Sequence, residues 1–223
     1  MMSKLNYKKG DSKVLNAWAF YDWANSVYPL VISSSVFPIY YGAMFVDDLY
    51  INVFGFDFKN TALISFLTAF VFIILSFITP ILSGIADYMG NKKSFLKFFC
   101  YMGSISCMGL YFFDLKNINL GLFFYFFALL SFWASLVFYN SYLPDIAFKE
   151  QQDKLSAKGY AMGYIGSVIL LLFNLAMVMS PESFGIVGDK PELIAMKYSF
   201  ISVGLWWMIC SQYTFYYLPK GNK

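Results

Sequence analysis

Long uncharged stretches, separated by short charged segments, dominate the pattern of this chain. Asp, Glu and Lys divide it into six windows in which nearly every position is apolar or weakly polar. A helix needs about 20 apolar residues to cross the hydrocarbon core of a bilayer. The pattern therefore predicts an all-α polytopic membrane protein, a single unit over residues 1–223, with six transmembrane helices that we call spans 1 to 6. Their predicted bounds are 23–46, 60–86, 94–113, 117–143, 159–180 and 198–218.

The composition supports lipid as the solvent of these helices. Hydrophobic residues make up 59% of the chain and charged residues 13%, with a mean hydropathy of +0.58. A soluble domain carries about 25% charged residues. A membrane β-barrel would need strands of about ten residues with alternating polarity, which these continuous apolar runs lack.

The lysines predict the orientation of the chain. All 16 positive charges are lysines, and twelve of them lie near the N-terminus, the 2–3 loop, the 4–5 loop and the C-terminal tail. Cytoplasmic loops carry the excess of positive charge in membrane proteins. We therefore expect a multi-pass protein of the cell (inner) membrane with both termini in the cytoplasm. The polar N-terminus shows no cleavable signal peptide.

The residue types that metal binding and catalysis need are scarce. The chain has no histidine, and its cysteines, Cys100, Cys107 and Cys210, all fall inside predicted spans. We interpret them as buried thiols rather than as disulfides or metal ligands. The sequence therefore predicts no enzyme, no metal and no cofactor. The net charge of +3 is explained by lysines at helix ends, so no nucleic-acid partner is expected.

The loop between spans 2 and 3, residues 84–96, combines glycines with charged residues. Its spaced positions are Gly84, Asp87, Gly90, Lys92 and Lys93. Glycines permit a tight turn and a close approach of helices. We hypothesise that Asp87 and Lys92 or Lys93 form a cytoplasmic network with Asp145, an acid at another inner helix end. The alternative is an ordinary positively charged loop that contains one acid.

Polar residues inside the spans are the candidates for a solute pathway. The set comprises Trp18, Asp22, Asn25, Tyr28, Asn140 and Asn174. Trp18, Asp22 and Asn25 share one helix face with Pro29. A carboxylate in a membrane is costly unless it is paired or hydrated, so this face is expected to look into the bundle. The alternatives are that Asp22 anchors the helix at the interface and that each asparagine bonds a neighbouring helix.

Prolines and glycines predict how the spans bend and pack. Pro29 and Pro38 indicate kinks in span 1, which helices along a moving pathway tolerate. Gly159, Gly163 and Gly166 form a small-residue face on span 5 that is expected to pack closely against another helix.

The 84–96 loop resembles the signature loop of the major facilitator superfamily, in which a glycine, an aspartate, a second glycine and basic residues follow this spacing. Two positions depart from that pattern, because Tyr88 and Asn91 stand where basic residues are usual. Residues 17–41 resemble the opening helix of the vacuole-effluxer-like branch, the autophagy-related vacuolar amino-acid effluxers. That resemblance is carried by Trp18, Tyr21, Asp22, Ala24, Asn25 and Ser26. FYNSYLPDIA (138–147) and SAKGYAMGYIGS (156–167) resemble the same branch.

The resemblance implies a secondary transporter that moves a small solute, amino acids among them, by alternating access and without a cofactor. Superfamily members have two six-helix halves with the solute between them. Six spans imply the N-terminal half, whose partners would be membrane lipid, a small-molecule substrate, and the missing C-terminal half or a second copy of this chain. A truncated gene, a fragment and one piece of a split protein all stay open. The alternative function is a non-transporting scaffold or an inactive fragment.

Overall fold

The computed structural model describes residues 8–45, 50–53, 55–88 and 90–220, without the side chains of Ala86 and Asp87. Within these residues, six helical spans are long and apolar enough to cross a membrane, which confirms the predicted fold class. The spans run over Ser12–Met44, Asn60–Tyr88, Lys92–Phe112, Ile118–Ile146, Lys149–Met179 and Pro191–Tyr217.

Three spans begin at least seven residues earlier than predicted, and span 3 begins two residues earlier, at Lys92. Span 1 begins at Ser12 instead of residue 23, span 5 at Lys149 instead of 159, and span 6 at Pro191 instead of 198. Charged residues at a helix end can extend beyond the hydrocarbon core into water. The uncharged windows therefore give the minimum extent of these helices at their N-terminal ends, and the helices continue beyond them through charged residues.

Span 1 changes its helical geometry at Pro29. An α-helix over Ser12–Asn25 is followed by a π-helix over Tyr28–Val36 and an α-helix over Phe37–Met44. Proline has no backbone N–H, so the i→i−4 ladder cannot continue through it. The predicted disturbance at Pro29 thus takes the form of a π-helical segment, a rare geometry that often occurs at functional sites.

The connections contain short elements of their own. Span 3 ends in a 3₁₀ turn over Leu110–Phe112, and span 4 consists of Ile118–Ser141 and a short turn over Leu143–Ile146. Another 3₁₀ turn, Pro181–Phe184, follows span 5.

A β-hairpin between spans 1 and 2 was not predicted. Strand β1 (Tyr50–Val53) pairs antiparallel with strand β2 (Phe56–Lys59), with Asn52 opposite Asp57. The Asn52 side chain donates to Asp57 at 2.8 Å, and Gly55 in the turn has a φ of 87°, which glycine adopts without strain.

The contacts among spans 1, 2 and 3 and spans 4, 5 and 6 follow a repeated pattern. Span 1 packs on spans 5 and 6, span 4 packs on spans 2 and 3, and spans 3 and 6 pack on each other. If span 1 is exchanged with span 4, span 2 with span 5, and span 3 with span 6, these contacts stay the same. The exception is a smaller contact between spans 5 and 6. Nested three-helix repeats of inverted topology build each half of a major-facilitator transporter. Spans 1 and 4 therefore occupy equivalent places in the fold.

Close approaches of small residues and large rings hold these contacts together. Gly103 of span 3 faces the Trp207 ring of span 6, and a Cβ at position 103 would lie 2.5 Å from that ring. Trp207 itself is fully buried. Span 2 differs from the other spans because its apolar side chains face outward, with Phe77 72% exposed. That face is available to lipid or to another protein.

Candidate functional site

A polar cluster lies where spans 1, 4 and 5 meet. The Tyr139 hydroxyl donates to Asp22 Oδ2 at 2.9 Å, and Trp18 Nε1 donates to the Tyr139 carbonyl oxygen at 2.9 Å. The rings of Trp18 and Tyr139 stack with centroids 4.3 Å apart. Trp18 and Tyr139 are buried, while Asp22 is half-buried. We call Trp18, Asp22 and Tyr139 the Asp22 cluster, because its hydrogen bonds and stacking fix one face of span 1 on span 4.

The glycine face of span 5 makes room for this cluster. Its three buried glycines meet span 1 at successive turns: Gly159 at Asp22, Gly163 at Ser26 and Gly166 at Trp23. A Cβ at Gly159 would overlap Asp22 Oδ2 and would lie 3.2 Å from the Tyr139 hydroxyl. Glycine at this position therefore lets the carboxylate occupy the interface between the helices.

Asn25 lies one turn after Asp22 and is 1% exposed. Its Nδ2 donates to no described residue, and its Oδ1 lies 3.5 Å from the Ser26 hydroxyl. Buried polar groups in proteins are almost always hydrogen-bonded. Nδ2 of Asn25 is thus a buried donor that has no hydrogen-bond partner among the described residues.

Tyr28 lies in the ring-filled core of the bundle. Its side chain is 1% exposed and packs on Phe132 of span 4 and Trp207 of span 6, with centroids 5.1 Å and 6.1 Å away. This position joins three spans.

The two remaining asparagines do not join the Asp22 cluster. Asn140 is exposed, and its neighbour Tyr139 makes the contact to Asp22 instead. Asn174 is fully buried and accepts a hydrogen bond from the Ser202 hydroxyl of span 6 at 2.8 Å. It lies fifteen residues beyond Gly159, about 22 Å along span 5. The structure therefore places Asn174 in a different part of span 5, and it leaves Asn140 exposed beside the cluster.

The structure brings Lys92 and Asp145 together at the end of the bundle where span 1 begins and span 6 ends. Lys92 Nζ lies 2.8 Å from Asp145 Oδ2 and donates to the Ser141 carbonyl oxygen at 2.9 Å. The Lys92 side chain is 6% exposed and that of Asp145 29%. This ion pair joins the start of span 3 to the end of span 4.

The other residues of the 84–96 loop have different surroundings. Lys93 Nζ donates to the Leu218 carbonyl oxygen at 2.6 Å, so it holds the end of span 6 rather than an acid. Gly90 has a φ of 57°, a left-handed conformation that favours glycine, and Gly84 is exposed on span 2. The side chain of Asp87 lies outside the described part of the structure.

Sequence reasoning missed Tyr139 and a cavity at the opposite end of the bundle. Tyr139 falls within the FYNSYLPDIA segment, where Asn140 drew attention as the more polar neighbour. The cavity has a volume of about 410 Å³ and lies between the C-terminal part of span 1, the start of span 2, and Tyr125 of span 4. Its polar wall residues were inconspicuous in the sequence because serine and threonine are common in membrane helices.

Residues 10–223 match the family described as Vacuole effluxer Atg22 like. The chain belongs to this family. The expected place in the major facilitator superfamily is confirmed by a relative named Uncharacterized MFS-type transporter YxiO, of Bacillus subtilis (strain 168). It is 32% identical over 215 residues, which cover 94% of this chain and 49% of that protein. Family and spans together indicate a multi-pass membrane protein.

A second relative is an uncharacterized protein of Aquifex aeolicus (strain VF5). It is 27% identical over 174 residues, which cover 77% of this chain and 41% of that protein. The chain thus spans about half the length, or less, of the curated relatives it matches. No solved structure matches it. Among the described residues, no group of three or more His, Cys, Asp or Glu is placed to hold a metal ion.

Proposed function

We propose that this chain is one six-helix half of a secondary transporter and that the Asp22 cluster borders its solute pathway. The observation that carries this proposal is the half-buried Asp22 carboxylate, held by Tyr139 at the crossing of spans 1 and 4. A carboxylate within a membrane span is costly and marks a functional position by default. The family and the transporter name of the Bacillus relative support the same reading.

The chemistry of this face suits a small solute with an amino group. A carboxylate such as Asp22 binds an ammonium group by a charge-assisted hydrogen bond. Asn25 Nδ2, three residues further along the helix, is a donor for a carboxylate or carbonyl oxygen. Residues three apart on a helix are neighbours at about 5–6 Å. Amino acids, the solute class that the resemblance implies, present these two groups together.

The proposed mechanism is alternating access. This half would supply one wall of the pathway, and a second six-helix half would supply the other, with the two rocking around the solute. The partner would be a C-terminal half or a second copy of this chain, a proposal that the greater length of the relatives supports. The lysine distribution favours a cell membrane location with both termini in the cytoplasm.

Uptake of a panel of labelled amino acids into liposomes tests this function in two forms of the protein. The purified chain alone should give no saturable uptake, since it offers one wall. A chimera, in which this chain replaces the segment of the Bacillus relative that it matches, should give saturable uptake.

In the chimera, Asp22→Asn should lower uptake by about tenfold or more, because one lost transition-state contact of about 1.4 kcal/mol already costs tenfold. Asp189→Asn, in the exposed loop between spans 5 and 6, is the matched control and should leave uptake unchanged. Saturable uptake by the chain alone would show that two copies form the pathway. A chimera that reaches the membrane without any uptake would favour the scaffold alternative.

A further inference from the structure

The cavity at the opposite end of the bundle is far from the Asp22 cluster. It opens beside Gly42 near the end of span 1, whereas Asp22 lies near the start of that span. Twenty residues separate the two positions in sequence, which is about 30 Å along a helix. The cavity is therefore a second region, with its own wall and its own access.

The wall of the cavity combines aromatic rings with uncharged polar groups. Its polar residues are Ser33, Tyr41, Asn60, Thr61, Ser65 and Tyr125. None of its described lining residues carries a charge. Thr61 and Ser65 are exposed, so their hydroxyl groups are accessible. Hydroxyls and an amide beside rings suit hydroxyl- or amide-bearing groups on an apolar body.

Hydrogen bonds fix this wall in place. The Tyr41 hydroxyl donates to the Asn60 carbonyl oxygen at 2.8 Å, and Asn60 Nδ2 donates to the Phe45 carbonyl oxygen at 3.1 Å. The hydroxyls of Thr68 and Tyr125 lie 3.2 Å apart, which joins span 2 to span 4. Small-molecule sites are commonly preformed cavities of about 300–1,000 Å³ with a few convergent polar groups.

We propose that this cavity binds a small uncharged solute, or the uncharged part of a larger one, through hydroxyl or amide groups. The inference deepens the proposed function and rests on it, as an outer subsite along the same pathway. The two regions differ in what they recognise: the Asp22 cluster meets a charged group, and the outer cavity meets a neutral one. Because about 30 Å of helix lies between them, a small solute would contact them in succession.

Protection of a cysteine at the cavity wall tests this proposal without any need for transport. Ser65→Cys in membranes should react with a maleimide, because position 65 is exposed. D-glucose and nicotinamide, two uncharged probes with hydroxyl and amide groups, should slow the reaction about threefold at twice their Kd, by simple occupancy. L-lysine and L-glutamate at the same concentrations should leave it unchanged. The unsubstituted chain measures any background from its three native cysteines.

Two variants make the test specific to the cavity. Asp57→Cys lies on the exposed face of strand β2, outside the wall, and should react without protection by any probe. Gly42→Leu, combined with Ser65→Cys, should remove the protection while the thiol still reacts. Gly42 lines the cavity, and a Cβ there meets no atom within 4 Å, so the position has open space for a larger side chain.

Four results would each overturn the proposal: no reaction at position 65, equal protection at position 57, protection by the charged probes, or protection that survives Gly42→Leu. Uptake in the chimera is measured separately. Protection without uptake would count against transport alone, and uptake without protection would count against the outer subsite alone.

Discussion

The two ends of the bundle are built differently. At the end where span 1 begins and span 6 ends, polar side chains connect helix ends to one another. Lys92 pairs with Asp145, Lys93 donates to the carbonyl oxygen of Leu218, and the Tyr142 hydroxyl donates to that of Pro219. Span 1 passes through a π-helix near its middle. At the opposite end of the bundle, a cavity of about 410 Å³ lies between span 1 and the start of span 2, beside the hydrogen bonds from Tyr41 and Asn60 to backbone carbonyls.

We call the end with Lys92, Lys93 and Tyr142 the tied end, and the end with the cavity the open end. The last carbonyl groups of a helix have no partner within it, so lysine and tyrosine donors that reach them hold neighbouring helix ends together. At the open end, the ion pair between Lys197 and Asp114 is longer, at 3.9 Å.

The largest expected effect is the presence or absence of cysteine labelling, which tests the orientation of the two ends in the membrane. Single cysteines replace Ser12 at the tied end and Asp57 and Asp189 at the open end. A membrane-impermeant reagent applied to whole cells should label positions 57 and 189 and leave 12 unlabelled, because the lysine-rich end is expected inside. Labelling at position 12 and at neither of the others would reverse the assignment of the two ends.

Gly159→Leu should produce the largest loss of stability. The new side chain would overlap the Asp22 carboxylate and force spans 1 and 5 apart, at a cost of about 3 kcal/mol or more in the free energy of unfolding. Thermal unfolding in detergent measures it. Gly84→Leu is the matched control, since a Cβ at Gly84 meets nothing within 4 Å. Similar losses for both variants would mean that Gly159 does not hold the helices together.

Lys92→Met should cost less, about 2 kcal/mol. Breaking a fully buried ion pair costs about 3–5 kcal/mol, and the loss is smaller here because Asp145 is 29% exposed and keeps some hydration. Lys149→Met, at an exposed position on span 5, should change stability by less than about 0.5 kcal/mol. Adding Asp145→Asn to Lys92→Met should recover part of the loss; if the two losses simply add, the ion pair contributes little to the tied end.

Tyr139→Phe should give the smallest change, about 1–2 kcal/mol, since it removes one hydrogen bond to a carboxylate and keeps the ring. The stacking on Trp18 and the backbone hydrogen bond from Trp18 Nε1 stay in place. In the chimera, uptake should fall by more than the small loss in the free energy of unfolding would explain, because Asp22 loses the hydroxyl group that orients it. Unfolding and uptake measured on the same preparation separate the two effects, and unchanged uptake would remove Tyr139 from the proposed pathway.

Much of the fold was predictable because it depends on local properties of the chain. Six spans follow from six long apolar windows, whatever the helices later contact. The tight turn at Gly90 was also predictable, because it depends on a glycine within a short loop, and Gly90 has the positive φ that such a turn needs. The earlier helix starts were not predictable, because the uncharged windows omit the parts of a helix that carry charged residues.

The polar contacts were much less predictable. Asp22 and Asn25 stood out as polar residues on one helix face, yet the partner of Asp22 is Tyr139, 117 residues away. Asn174 stood out equally and instead accepts a hydrogen bond from Ser202 of the sixth span. A side chain's own sequence neighbourhood does not say which distant helix will lie beside it.

The sequence by itself determined the membrane as the solvent, the number of spans and the family, because hydrophobicity and short motifs are carried by neighbouring residues. Only the tertiary structure decided that spans 1 and 4 are equivalent, that Gly159 makes room for Asp22, and that a cavity opens beside Gly42. These features arise from the way helices distant in sequence pack side by side, where the rotation of each helix selects the side chains that meet.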